Sequence, residues 1–283
     1  MKIKRKKSEQ EVMIIKESQG VPYMTFPLLE DYPELRHGMS TRLGGVSKGV
    51  YSSMNLSFSR GDYAEDVREN FRIMANALGI PFESIVLQGL DHTVNVTKVT
   101  EADRGRGLLA DKEPILHNDA LITNEANVAI VATSADCVPL SFYDPVHHAI
   151  GVAHSGWKGT VNRMVWHTLD AMKREYGTEP GDVLLGIGPC VCQNCYEVSE
   201  DVACQFAEAF PNYENDILLN KGNGKYLLDL SKTNELVARE AGIIREHINA
   251  TDVCTCCNPD VLFSHRVHGN NRGVQMTFLM LAK

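Results

Sequence analysis

The chain has 283 residues, 43% apolar and 23% charged, enough to bury a sizeable core without disulfides. Its formal charge of −8 argues against a nucleic-acid binder, which needs a basic face. No apolar run is long enough to span a bilayer, and the basic start leads into Ser8-Glu9-Gln10-Glu11 rather than an apolar leader, so no membrane partner and a cytoplasmic location are expected.

In such a compartment the eight cysteines are expected to be mainly reduced thiols or metal ligands. Lys2, Lys4, Arg5, Lys6 and Lys7 read as a solvated, frayed end, with residues 1–20 peripheral to the fold. No repeat or low-complexity linker interrupts the chain, so 1–283 reads as one domain and a monomer is favoured. Residues 40–60, rich in Gly and Ser, read as a long functional loop.

From Asp62 to Gly79, Val67, Phe71, Met74 and Leu78 fall on one helical face, with Asp62 as N-cap, Gly79 as C-cap and Pro81 as a stop. Strands are predicted at Ile85–Gln88, Thr93–Val99, Val128–Ser134, Leu140–Tyr143 and His148–Ala153, the last two joined by a turn at Asp144-Pro145-Val146-His147. A helix is predicted from Lys158 to Tyr176, ended by Gly177, then a strand at Val183–Ile187. Helices at Ser199–Phe210 and Ser231–Ala241 and a strand at Val274–Met280 complete the pattern. Strands in succession with helices between them suggest an α/β fold of layered, mixed sheets rather than a doubly wound one. Neither a G-x-G-x-x-G turn nor a Walker phosphate loop is present.

Cys137 follows one apolar run and His154 ends another; a hairpin would bring both to one rim. His92, at a turn between two predicted strands, can supply a third ligand. One thiolate and two imidazoles suit a zinc ion that keeps a coordination position open. The alternative is a buried free cysteine and two satisfied histidines. Cys192/Cys195 and Cys254/Cys257 are two C-x-x-C pairs that could close a structural zinc site or remain ordinary thiols; Cys256 makes that ligand choice ambiguous.

Several cationic groups could hold an anion. Ser155-Gly156-Trp157-Lys158-Gly159 opens a predicted helix, whose N-terminal N–H groups and Lys158 favour negative charge. His37 and Arg42 bracket two hydroxyl residues, Ser40 and Thr41, and arginine grips phosphate bidentately. Ser264-His265-Arg266 offers another cation. Asp136 is a general acid/base by type, but strand alternation would point it away from Cys137, which favours a structural role.

Taken in order, His37-Gly-Met-Ser-Thr-Arg42, Gly61-Asp62, Gln88, His92, Asp119, Ala135-Asp136-Cys137, His154-Ser-Gly-Trp-Lys-Gly159, Ile187-Gly-Pro189, Tyr196-Glu-Val198 and Ser264-His-Arg266 resemble the polyphenol-oxidase or laccase-domain family of zinc-dependent purine nucleoside phosphorylases. The resemblance covers about His37 to Leu281. It implies a four-layer α/β/β/α sandwich and a catalytic zinc on His92, Cys137 and His154. It implies phosphorolysis of adenosine, inosine, guanosine and methylthioadenosine by inorganic phosphate to base and ribose 1-phosphate, and deamination of adenosine. His37, Arg42 and Lys158 are then expected at the phosphate. Ser155 departs from the alanine expected there. The alternatives are a cysteine hydrolase with Cys137 as nucleophile and His154 as base, a copper-dependent phenol oxidase, for which one cysteine and few clustered histidines supply too few ligands, and a non-enzymatic zinc-stabilised scaffold.

Overall fold

The structure, a computed structural model, describes residues 2–6, 12–109 and 111–282. Two six-stranded sheets form its centre. In spatial order the first holds Ile14–Ser18, Val21–Thr25, Leu35–Ser40, Gln275–Leu281, Ala129–Ser134 and Ile85–Val86. The second holds Ile248–Ala250, Leu184–Ile187, Val138–Asp144, Ala149–Ser155, Ala120–Thr123 and Val96–Lys98. A smaller three-stranded sheet joins Glu197–Ser199, Lys225–Leu228 and Leu218–Gly222. Both large sheets are mixed: Ile85–Val86, Val96–Lys98 and Ile248–Ala250 each pair parallel at an edge, and the other pairings are antiparallel.

Side-chain alternation sorts each central strand between two cores. Val131, Met276 and Phe278 of the first sheet face Val67, Phe71 and Met74 of the helix Ala64–Leu78. Their neighbours Ile130, Ala132 and Leu279 face the second sheet, meeting Tyr143, Ile150, Val152 and Leu184. The opposite face of that sheet, with Leu140, Phe142 and Ala153, is covered by Leu169, Met172, Phe206 and Val237 from helices. The order is therefore helix, sheet, sheet, helices, the four-layer α/β/β/α arrangement. All seven residues of Ala149–Ser155 are buried, because a strand between two layers has no solvent face.

The helix over 64–78 ends at Gly79 with φ 68, as its sequence predicts. Its N-cap is Tyr63; the Asp62 carboxylate instead accepts bonds from Ser47 Oγ (2.7 Å) and Asn55 Nδ2 (2.9 Å), tying the 40–60 loop to the helix. The helix predicted over 158–176 is two: Trp157–Val161 and Met164–Tyr176. Arg163 breaks it with φ 61, its guanidinium drawn to Glu240, to the Ala209 carbonyl (3.3 Å) and over the Phe210 ring. A five-residue helix has little dipole to offer an anion. The basic start also departs from a frayed end. Arg5 binds the buried Asp252 carboxylate (2.5 Å) and the Met13 carbonyl (2.7 Å), and Lys4 bonds Asn258. Lys7 lies outside the described residues.

Candidate active site and metal centre

The chain leaves the first sheet at Ser134 and enters the second at Val138, so Ala135–Asp136–Cys137 crosses between them. The crossing is tight: Asp136 takes φ 94, a region few non-glycine residues occupy. Its buried carboxylate accepts bonds from Thr255 Oγ1 (2.6 Å) and Arg266 N (2.6 Å). That commits Asp136 to holding the turn. The next strand pairs with Ala149–Ser155 so that Pro139 faces His154 and Val138 faces Ser155. Cys137 thus comes to rest beside Gly156. A Cβ placed on Gly156 would lie 3.1 Å from Cys137 Sγ and 3.7 Å from His154 Nε2, so thiol and imidazole converge on the bare face of this glycine.

His154 is held at three points. Its Nδ1 donates to the Thr133 carbonyl (2.7 Å) and its backbone N–H to the Asp119 carbonyl (2.7 Å). Its Nε2 is buried with no hydrogen-bond partner. Burial, the largest influence, lowers the His154 pKa, so the ring is neutral at pH 7 with a lone pair on Nε2. Leaving that nitrogen unsatisfied costs about 1–3 kcal/mol, which an ion or ligand atom at Nε2 would offset. A backbone acceptor on the far nitrogen is also the arrangement that orients metal-bound histidines.

His92 has φ 56, and Asp119 stabilises this loop: its carboxylate accepts from His92 N (3.2 Å), Thr93 N (2.7 Å) and Thr93 Oγ1 (3.0 Å). The His92 and His154 ring centroids stand 5.5 Å apart. One donor atom each from His92, Asp119 and His154 lies within 4.8 Å of the others. Cys137 is not in that closest trio; it approaches from the Gly156 side, where burial pushes its thiol up to about 12. Bound metal reverses such a shift, since a coordinating thiol is deprotonated. The donor set fits a divalent metal, with Asp119 and Cys137 as two choices for the third ligand.

Arg272 is buried, and its Nε and Nη1 have no acceptor. Burial and the neighbouring Arg60 guanidinium lower its pKa to about 10, while Asp136 and Cys137 partly oppose them. Arg60 Nε is likewise buried without a partner. Arg272 interacts electrostatically with both Arg60 and Cys137, and the unused donors of the two guanidinium groups could hold an anion.

The family model described as "Multi-copper polyphenol oxidoreductase laccase" matches residues 36–282. The chain belongs to this laccase family. It is 34% identical over 247 residues to a Bacillus subtilis protein named purine nucleoside phosphorylase YlmD, covering 87% of this chain and 88% of that one. A mouse protein named purine nucleoside phosphorylase LACC1 is 34% identical over 265 residues, 91% of this chain and 58% of that protein. The crystal structure of YlmD from Geobacillus stearothermophilus superposes with a TM-score of 0.86 at 28% identity, covering 96% of this chain and all (100%) of the other. A Bacillus licheniformis YfiH structure gives 0.89 at 29% identity, with 94% and 98% covered.

In this laccase-family chain the residues expected at the phosphate do not gather at one place. His37 pairs in register with Leu279, which pairs with Ile130, four residues along the strand from Ser134. At about 3.3 Å per residue, that is roughly 13 Å from the crossing. His37 Nε2 instead faces Phe26 N (3.4 Å) and Glu30 Oε1 (3.7 Å). Arg42 is spent on the Ser52 carbonyl (2.9 Å) and the Pro259 carbonyl (2.7 Å), and stacks on Phe263. Arg266 reaches the Glu197 carbonyl (2.8 Å) and covers Tyr196. Lys158 is exposed, yet its charge reaches His92. Asp119, Arg60 and Arg272 carry no local sequence signal for a functional role. Asp119 sits at a strand start and Arg272 before a strand, positions that read as ordinary boundaries until burial and missing partners are seen.

Proposed function

We propose that this chain is a zinc-dependent phosphorylase of purine nucleosides. The observation that carries the reading is the buried, partnerless Nε2 of His154, aimed where His92, Asp119 and Cys137 also present donor atoms. The names of the YlmD and LACC1 relatives support the substrate class. Two imidazole nitrogens with a thiolate or a carboxylate as third ligand form a borderline-soft set suited to zinc, with one position left for chemistry.

In phosphorolysis a phosphate oxygen bonds to C1′ of the ribose while the bond from C1′ to the base nitrogen breaks. The base takes up the electron pair and, with a proton, departs; ribose 1-phosphate remains. Zinc, when bound, acts as a Lewis acid and lowers the pKa of a coordinated water to about 7. The chain's own groups supply the rest. Arg272, seconded by Arg60, offers unused N–H donors to the phosphate. Asp119 positions His92 through the backbone, and Thr133 fixes the face of His154. Lys158 adds positive charge at the exposed side. Adenosine, guanosine, inosine and methylthioadenosine share the reacting atoms, and we include hydrolytic deamination of adenosine as a second activity of the same centre. The cysteine-hydrolase alternative is disfavoured by a thiol pushed up to about 12, which is protonated at neutral pH. Copper phenol oxidation finds one histidine-containing donor group among the described residues, too little for several coppers.

The test incubates zinc-loaded protein with inosine, with and without phosphate. Base and ribose 1-phosphate should form only with phosphate, and Cys137→Ala and His154→Ala should abolish the reaction together with zinc at this centre. Adenosine without phosphate should give inosine and ammonia. Undiminished turnover in His154→Ala, or base release independent of phosphate, would overturn the assignment.

A further inference from the structure

A second group of donors lies away from the histidines. Past the strand Leu184–Ile187 the chain runs through Cys190 into one tight turn, Gln193–Cys195, in which Cys195 N donates to the Cys192 carbonyl (2.9 Å). A one-residue parallel bridge between Cys190 and Cys254 lays this strap against the segment after Ile248–Ala250. That segment makes its own turn at Cys254–Cys257. The sulfurs of Cys192, Cys195, Cys254 and Cys257 all lie within 4.8 Å of one another, and Cys195 and Cys257 Sγ are 3.6 Å apart.

These distances separate the chemical options. A disulfide needs sulfurs at about 2.05 Å. Tetrahedral zinc with bonds of about 2.3 Å spaces its sulfurs about 3.8 Å apart. The Cys254 sulfur accepts backbone N–H groups from both Cys192 (3.2 Å) and Cys257 (3.4 Å). A neutral thiol is a weak acceptor; two donors directed at one sulfur match a thiolate. The Lys6 ammonium interacts electrostatically with Cys190, Asp229, Cys192 and Cys254, a positive charge that would help balance a four-thiolate site. Cys190 and Cys256 stand outside the quartet, which favours Cys254 and Cys257 over Cys256 as ligands.

We propose that Cys192, Cys195, Cys254 and Cys257 bind a structural zinc ion that clamps the strap to the C-terminal turn. Four protein ligands fill its tetrahedron, leaving no position for a substrate. The clamp also braces the catalytic crossing. Thr255, inside the second turn, donates to the Asp136 carboxylate, and Val191 N, in the strap, donates to the Asp136 carbonyl (3.0 Å). Asp136 precedes Cys137, so the ion holds the floor on which that cysteine stands.

The experiment incubates full-length protein with ZnCl2 under reducing conditions, desalts it and measures bound metal for wild type, Cys195→Ser and Cys256→Ser. Cys195→Ser should carry one zinc per chain fewer than wild type, whatever the total, and Cys256→Ser the same as wild type. In parallel, iodoacetamide labelling of wild type is mapped by mass spectrometry, which covers the case in which Cys195→Ser does not fold. The exposed Cys204 should label at once, and the four ligands only after a chelator is added. Equal zinc in Cys195→Ser and wild type would overturn the proposal. So would labelling of the quartet at the Cys204 rate before chelation, or a disulfide among the four in the native protein.

Discussion

Gly156→Ala isolates the convergence of Cys137 and His154 with a single methyl group. The glycine has φ −71 and ψ −177, an extended conformation that alanine adopts freely, so the backbone carries no penalty. The new Cβ would stand 3.1 Å from Cys137 Sγ and 3.7 Å from His154 Nε2. The first distance is inside the ordinary contact range of about 3.5–4.0 Å, so the thiol must shift by some tenths of an ångström. An ion about 2.3 Å from the sulfur and about 2.0–2.1 Å from the nitrogen has to use the face that the methyl invades. We expect metal affinity to fall about 10–100-fold, the scale seen when a ligand's surroundings are disturbed. We expect kcat/KM for phosphorolysis to fall about 100-fold, or about 2.7 kcal/mol of transition-state stabilisation. Stability should barely change. The alanine removes unfolded-state freedom worth about 0.4–1 kcal/mol, against about 1 kcal/mol of crowding. Metal analysis, steady-state kinetics with inosine and phosphate, and a thermal melt report the three quantities. Wild-type metal content and wild-type kcat/KM in this variant would show that the two donors do not share one ion.

Arg272→Met keeps the volume and removes the charge. It should raise KM for phosphate about 10–100-fold, matching the roughly 1.5–3 kcal/mol of charge-assisted bonds, while leaving stability equal or improved because a buried unpaired guanidinium is costly; an unchanged phosphate KM would remove Arg272 from the site. His37, pushed by burial to about 4, is neutral in the native state. The unfolded chain binds its proton near pH 6.5, so native stability is intact above that pH and is lost as pH falls toward 4, by an amount on the order of 3 kcal/mol. Denaturant melts of His37→Gln should show a flatter acid limb, and identical limbs would contradict this account. Ser155→Ala removes the hydroxyl that donates to Asn234 Oδ1 (3.0 Å) in a fully buried network with Thr160. The stranded amide oxygen should cost about 1–3 kcal/mol, visible as a Tm several degrees lower with metal content unchanged.

The chain's own pattern determined the layers. Apolar runs at 128–134 and 148–153, helical spacing at Val67, Phe71 and Met74, and glycine stops at Gly79 and Gly177 follow from local stereochemistry and burial, and the structure has elements at all of them, the second strand running on to Ser155. Hairpin spacing also brought Cys137 and His154 to one rim. Ile14–Ser18 forms a hairpin with the adjacent Val21–Thr25, a local signal hidden in a segment read as peripheral. The short edge strand Ile248–Ala250 was illegible, because its pairing partner Leu184–Ile187 is far off in sequence. The break at Arg163 was hidden for a related reason, since Glu240 and Phe210 set that residue's conformation. The choice of arginine for the proposed anion site came only from tertiary structure. Arg42 and Arg272 are the same residue type in loops, and composition cannot tell which one spends its donors on carbonyls and which is buried with them unused. The four cysteines pose the same problem: a spacing of 62 residues fixes no distance, whereas packing of the strap against the C-terminal turn brings their sulfurs together.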